Sequence, residues 1–316
     1  MSILNTHIGN LKFKNPVLLA SGTCGIAAKE LTPYFNLSDL GGIVTKSLGI
    51  KPWTGNPTPR VVEIPGCGLL NSIGLQNPGI EHFTKNELPF LKEQNASVII
   101  NVVGESLNEY IEVVDYIKNY SGFVAIELNL SCPNVDGGLD FSQDPKKAYT
   151  VVSEVKKIAN VPVLVKLSPN VTDITDIVKA CVDAGSDGIV LINTVLGLAI
   201  NKWTKKPTLP RAVGGYSGPA IKPIALRMIW QTYKKFPNVP IIGVGGIHNA
   251  DDAIEFLLCG ASCVQVGTAN FINPKASIEI ISGLKDYCEK NKLSSIGEII
   301  GQAHSQDGKT LTSSIH

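Results

Sequence analysis

Eight short aliphatic runs recur along the chain, each separated from the next by a longer stretch, and that alternation narrows the available folds more than any other feature. The runs cover residues 16–20, 42–45, 97–102, 124–128, 163–165, 187–192, 239–244 and 262–266. Their Val, Ile and Leu residues are continuous rather than alternating, as expected of parallel strands buried on both faces. Amphipathic helical stretches lie between them, at 107–120, 146–159, 174–184, 221–235 and 250–259. Eight βα units in succession favour an α/β fold of the closed (β/α)8 type, a TIM barrel, over an open doubly wound sheet, which more often stops at about six strands. Segment 7–14, with Gly9-Asn10 between two apolar runs, reads as a hairpin ahead of the barrel. Residues 1–316 are therefore expected to form a single barrel domain.

Loop lengths point to one face of that barrel. The connections from Lys46 to Asn101 and from Asn193 to Gly245 far exceed one βα unit, and their surplus is Gly- and Pro-rich, at 49–79 and 197–219. Both follow a strand's C-terminal end, where barrel enzymes build their sites. They are expected to be active-face loop insertions.

Composition removes several function classes. Lys and Arg number 28 against 27 Asp and Glu, a net charge of +1, and no basic block suits a nucleic-acid backbone. The N-terminal residues lack the charged and apolar regions of a secretory signal. The longest apolar stretch, near 189–200, is interrupted by Asn193 and Thr194 and falls short of the ~18 residues of a membrane span. With 7 Cys and no paired metal spacing around Cys259 and Cys263, neither a disulfide framework nor a metal site is expected. The five His (His7, His82, His248, His304 and His316) are scattered and read as surface or structural. A reduced, soluble, cytoplasmic protein with no nucleic-acid or membrane partner is the expectation.

The residues closing the aliphatic runs carry the functional signal. They are Ser21 and Thr23, Thr45 and Lys46, Asn101, Glu127 and Asn129, Lys166, Asn193 and Thr194, Gly245 and Gly246, and Gly267 and Thr268. Any one of them could merely end a strand. Together they would bring two lysines and three asparagines into one crevice, which a core does not tolerate unless a ligand satisfies them. The glycines after strands seven and eight would let backbone N–H groups approach a phosphate, as in a flavin mononucleotide or a sugar phosphate. Cys132, in Asn129-Leu-Ser-Cys-Pro-Asn134, precedes a Gly-Gly pair and has no neighbouring His, which suits acid/base work better than peptide attack. Cys24 and Cys67 compete weakly for that role, while Cys181, Cys259, Cys263 and Cys288 read as buried structural thiols. The segment Asn71-Ser-Ile-Gly-Leu-Gln-Asn77, with Asn129, Asn134 and Asn193, offers amides suited to a pyrimidine-like ring.

These segments, with Thr45-Lys-Ser47, Val165-Lys-Leu167, Ile192-Asn-Thr194, Gly218-Pro-Ala220 and Gly243-Val-Gly-Gly246, resemble the FMN-containing dihydroorotate dehydrogenases from about residue 4 to about residue 303. A Cys in the Asn-x-Ser-Cys-Pro-Asn motif resembles class 1. The stretches 192–197 and 215–223, and more weakly Gln76, resemble its NAD-linked class 1B catalytic subunit. The resemblance implies oxidation of (S)-dihydroorotate to orotate in pyrimidine biosynthesis. Cys132 would be the catalytic base and Lys46 would touch both flavin and substrate. Asn71, Ser72, Ile73, Gly74, Leu75, Asn129, Asn134, Asn193 and Thr194 would hold the substrate. Ser21, Thr45, Lys46, Asn101, Asn129, Lys166, Ile192, Gly218, Gly245, Gly246, Gly267 and Thr268 would hold one FMN, with Lys166 countering negative charge on the reduced ring.

The chain has no Cys spacing for an iron–sulfur cluster and no dinucleotide fingerprint, so electrons bound for NAD would leave through a partner. The resemblance implies a homodimer flanked by two subunits carrying FAD and [2Fe–2S], a heterotetramer. A fumarate-linked dihydroorotate dehydrogenase and a dihydropyrimidine dehydrogenase stay open as alternatives. A barrel lyase using Lys166 or Lys46 as a Schiff base is more remote.

Overall fold

The computed structural model describes residues 2–66, 68–130 and 141–306. Its centre is a closed parallel barrel of β1 (Val17–Leu19), β2 (Gly42–Val44), β3 (Val98–Val102), β4 (Ala125–Asn129), β5 (Val163–Leu167), β6 (Gly188–Leu191), β7 (Ile241–Val244) and β8 (Cys263–Val266). β8 closes onto β1, with Val264 opposite Val17. Helices Leu107–Ile117, Pro145–Ile158, Ile174–Asp183, Lys222–Lys235 and Ala250–Leu258 fill the connections where helical periodicity is legible. The fold is the (β/α)8 barrel that the repeated runs imply.

Strand residues alternate between two cores, because successive side chains point to opposite faces. Val17, Leu19, Ile43, Val98, Ile100 and Val264 pack outward against the helices. Leu18, Val44, Ile99, Leu164, Val190, Ile242 and Cys263 point inward and cluster with Ile8, Leu11 and Phe13. The hairpin Thr6–Ile8/Leu11–Phe13, turning at Gly9-Asn10, thus plugs one end of the barrel. Two residues further along four of the strands the inward positions become polar: Asn101, Glu127, Lys166 and Gln265, all buried. The interior is greasy at the plugged end and polar at the other.

Helix starts are chemically marked. Asp144 and Asp173 accept N-terminal backbone N–H groups, and Asn249 and Asp252 form a reciprocal capping box on Ala250–Leu258. Asn249→Ala is expected to cost about 1 kcal/mol of folding stability. A urea unfolding curve, read as a lower midpoint at unchanged slope, checks it.

The two insertions differ from the expected loops. Strands Val61–Ile64 and Gly68–Asn71 from the first join Val195–Leu198 and Val213–Ser217 from the second in a four-stranded antiparallel sheet. The register places Gly215 opposite Asn71. Gly215 is required by crowding, since a Cβ there would lie 2.2 Å from Thr194 Oγ1. Each insertion forms its own antiparallel pair, and the two pairs become one sheet where Gly68–Asn71 meets Val213–Ser217 across the barrel mouth. Periodicity also leaves unread the outer helix Ala276–Lys290, which buries Ile280, Leu284 and Cys288, and the helical run from Ile80 to Glu93.

The four cysteines read as structural are all buried. Burial pushes the Cys181 thiol up to about 12 and Cys259 to about 11, and raises Cys263 and Cys288 as well. Among the described residues, no helix is long and apolar enough to cross a membrane, and no His, Cys, Asp and Glu side chains cluster as a metal site.

Candidate active site

A cavity of about 410 Å³ opens at the polar end of the barrel. Every strand contributes to its wall: Ser21 beyond β1, Lys46 beyond β2, Asn101 on β3, Asn129 on β4, Lys166 on β5, Ile192, Asn193 and Thr194 beyond β6, Gly245 and Gly246 beyond β7, and Gly267 and Thr268 beyond β8. The antiparallel sheet and its flanks add Asn71, Ile73, Gly74, Leu75 and Gly218. Residues far apart in sequence thus meet in one chamber.

Two expected residues stand behind the wall. Thr45 Oγ1 accepts the Asn101 backbone N–H at 3.0 Å, bracing β2 against β3. Ser72 is buried and its Oγ accepts from Asn56 Nδ2 at 2.8 Å, which shapes the 71–77 segment rather than the cavity. Cys132, Asn134 and Cys67 lie outside the described residues. Cys24 is buried, and burial pushes its thiol up to about 11, which disfavours it as a base near neutral pH.

Hydrogen bonds fix the amides. Asn129 Nδ2 donates to Ser47 Oγ at 3.2 Å, and Asn193 Nδ2 donates to Asn129 Oδ1 at 3.3 Å. The Tyr110 hydroxyl donates to the Asn129 carbonyl at 2.6 Å. Asn71 Nδ2 donates to the Gly215 carbonyl at 3.1 Å, tying the two insertions together at the cavity.

The charges are as informative. Lys166 is buried and Lys46 half-buried against the cavity. Desolvation lowers the pKa of Lys166, while Glu127 pulls it back up. Desolvation also lowers that of Lys46, and Lys166 adds a repulsive push. Two cations held close at this cost are poised for an anionic or electron-rich ligand. Asn101 Oδ1 and Gln265 Oε1 are buried without a hydrogen-bond partner, so the wall also keeps acceptors for ligand donors.

Several wall residues escape a reading of strand ends. Gln265 lies inside β8 rather than at its end, but its two-residue spacing from inward Cys263 is a signal that parity could have found. Ser217, whose Oγ accepts from Thr268 Oγ1 at 2.9 Å, belongs to the strand Val213–Ser217, which carries little strand signal in its sequence. Asn170 clamps the loop after β6, donating to the Thr194 carbonyl at 3.2 Å and accepting from Leu196 N at 2.9 Å. Arg60 donates to Gln76 Oε1 and braces the insertion from outside the cavity.

A closed barrel with paired cations, fixed amides and glycines at the C-terminal strand ends defines a (β/α)8-barrel enzyme. The dihydroorotate dehydrogenase family model matches residues 3–288. The chain belongs to that family. The "Dihydroorotate dehydrogenase B (NAD(+)), catalytic subunit" of Geotalea uraniireducens is 49% identical over 299 residues, covering 94% of this chain and 97% of that protein. The protein of the same name from Alkaliphilus metalliredigens is 48% identical over 299 residues, covering 94% and 98%. A "Putative dihydroorotate dehydrogenase A (fumarate)" of Aquifex aeolicus is 49% identical over 303 residues, covering 95% and 98%.

Proposed function

We propose that this chain, acting as one barrel domain, oxidises (S)-dihydroorotate to orotate with a bound FMN, in pyrimidine biosynthesis. The observation that carries the reading is the cavity itself, which combines a buried and a half-buried lysine, fixed amides, two unpartnered acceptor oxygens and paired glycines. These residues fit FMN: acceptors for ring N–H groups, cations for its electron-rich edge, and open backbone for a phosphate. FMN supplies the two-electron acceptor for the hydride that leaves substrate C6. Cys132 Sγ takes the proton from C5, and Cys132 lies three positions along the chain from Asn129 on the cavity wall, a tether of at most about 11 Å.

Lys46, Asn71, Asn129, Asn134, Asn193 and Thr194 hold the ring and carboxylate of the substrate, with Gly74 and Leu75 shaping the pocket and Ser72 supporting that segment. Ser21, Asn101, Lys166, Ile192, Gly218, Gly245, Gly246, Gly267 and Thr268 hold FMN, with Thr45 bracing Asn101. The anaerobic protein should be yellow, or become so with FMN, and bleach on adding dihydroorotate. A colourless protein that does not take up FMN overturns the reading.

Gly246 tests the phosphate cradle separately. Its φ is 84°, and a Cβ there would lie 2.7 Å from the backbone N of Lys222. Gly246→Ala is expected to displace this turn and weaken FMN binding roughly tenfold or more, by the strain of a non-glycine residue in such a conformation. Quenching of flavin fluorescence during titration measures it.

The acceptor in this reading is NAD, reached through a second subunit carrying FAD and [2Fe–2S], in a cytoplasmic assembly built on a homodimer of this chain. Support comes from the apolar side chains that the insertion sheet exposes, Val61, Leu196, Leu198 and Val213, three of which (Val61, Leu196 and Val213) rim the cavity itself, so a partner seated there would cover the flavin site. Copurification with an iron–sulfur flavoprotein would support it. Direct reduction of fumarate by the isolated chain would favour the fumarate-linked alternative.

A further inference from the structure

Glu127 is fully buried inside the barrel, and both of its oxygens are engaged. Oε1 accepts from Asn101 Nδ2 at 2.7 Å, and Oε2 accepts from Gln265 Nε2 at 2.6 Å. A carboxylate offers only acceptors, so it holds each amide with its NH2 group turned toward Glu127. The opposite end of each amide, Asn101 Oδ1 and Gln265 Oε1, is buried and meets no donor. Both residues line the cavity, and both are completely buried. Unpartnered buried acceptors are rare in folded proteins, and two on one wall mark a place where a ligand brings a donor.

We infer that Glu127 is a positioning residue which, through Asn101 and Gln265, presents two acceptor oxygens to the N–H of a cyclic imide and so selects a flavin whose imide N–H is intact. The inference rests on the FMN reading above and deepens it. A carboxamide at position 127 cannot do the same work, since it can accept from one neighbouring amide while donating to the other. One of the two amides must then turn and direct NH2 at the ring N–H, setting donor against donor. Lys166, whose ammonium feels Glu127, supplies a donor next to the same carboxylate. The two amide oxygens then share the imide N–H, and the lysine ammonium faces one of the flanking carbonyls.

The test titrates the apoprotein with FMN and with FMN methylated at the imide nitrogen, followed by fluorescence quenching. The parent chain is expected to bind the methylated flavin about tenfold more weakly or worse, the scale of a buried hydrogen-bond mismatch. Glu127→Gln should weaken FMN by a similar factor, leave the methylated flavin nearly unchanged, and so compress the preference. The midpoint potential of bound FMN should also move positive in Glu127→Gln, because removing a nearby anion favours the reduced form. Loosened packing alone predicts no such sign.

Equal binding of the two flavins by the parent overturns this inference alone, whatever the variant does. An undiminished preference in Glu127→Gln, or a potential that stays or falls, also overturns it. If that variant does not fold, Gln265→Leu carries the same expectation: loss of one acceptor must narrow the preference, and an unchanged ratio contradicts the inference. Failure of the parent to bind either flavin would instead defeat the proposed function.

Discussion

Cys132→Ser is expected to leave FMN bound and slow its reduction by dihydroorotate about 10²–10⁴-fold, the range for losing a positioned base. A thiol ionises near pH ~8.5 when unperturbed, and nearby cations favour its thiolate, whereas a serine hydroxyl stays protonated. Lys46, Lys166 and Arg211 are cations on the cavity wall. Cys24 offers no substitute, because burial pushes its thiol up to about 11. Anaerobic stopped-flow absorbance gives the rate, and equal rates in variant and parent would remove Cys132 from the mechanism.

Lys166→Ala is expected to have the second large effect. It deletes a buried cation whose charge is felt by the buried Glu127 carboxylate. Because Asn101 and Gln265 still hold both Glu127 oxygens, folding stability should fall by no more than about 3 kcal/mol, and FMN affinity should fall at least ~10²-fold on loss of the cation facing the flavin. The pH behaviour should also move in a defined direction. Lys166 pushes the pKa of Lys46 down, so its removal lets Lys46 stay protonated to higher pH. The high-pH limb of a substrate-binding profile governed by Lys46 should shift upward. Urea unfolding, flavin titration and that profile check the three parts, and an unshifted limb would separate Lys46 from Lys166.

The barrel was legible because its strands are buried on both faces and therefore read as continuous aliphatic runs, such as Val98–Val102 and Val163–Leu167. The cavity wall was legible for a related reason, since polar residues that close such runs have to converge on one face. What stayed hidden depends on partners distant in sequence. Gly68–Asn71 and Val213–Ser217 carry little strand signal by themselves, and each is a central strand of a sheet that joins both insertions. Ser72 sits between wall residues Asn71 and Ile73, yet its side chain turns to Asn56, a rotation that neighbouring positions do not reveal. Glu127 and Gln265 touch across the barrel, so their union needs three dimensions even though each polar residue stands out in its strand.

The most direct test of the central claim is a crystal structure of the chain with FMN and orotate bound. The account predicts the flavin phosphate against Gly245, Gly246, Gly267 and Thr268, and the orotate ring among Asn71, Asn129 and Asn193 with the Cys132 sulfur facing its C5 atom. A flavin outside this cavity, or a Cys132 sulfur turned away from C5 in the closed complex, would contradict it.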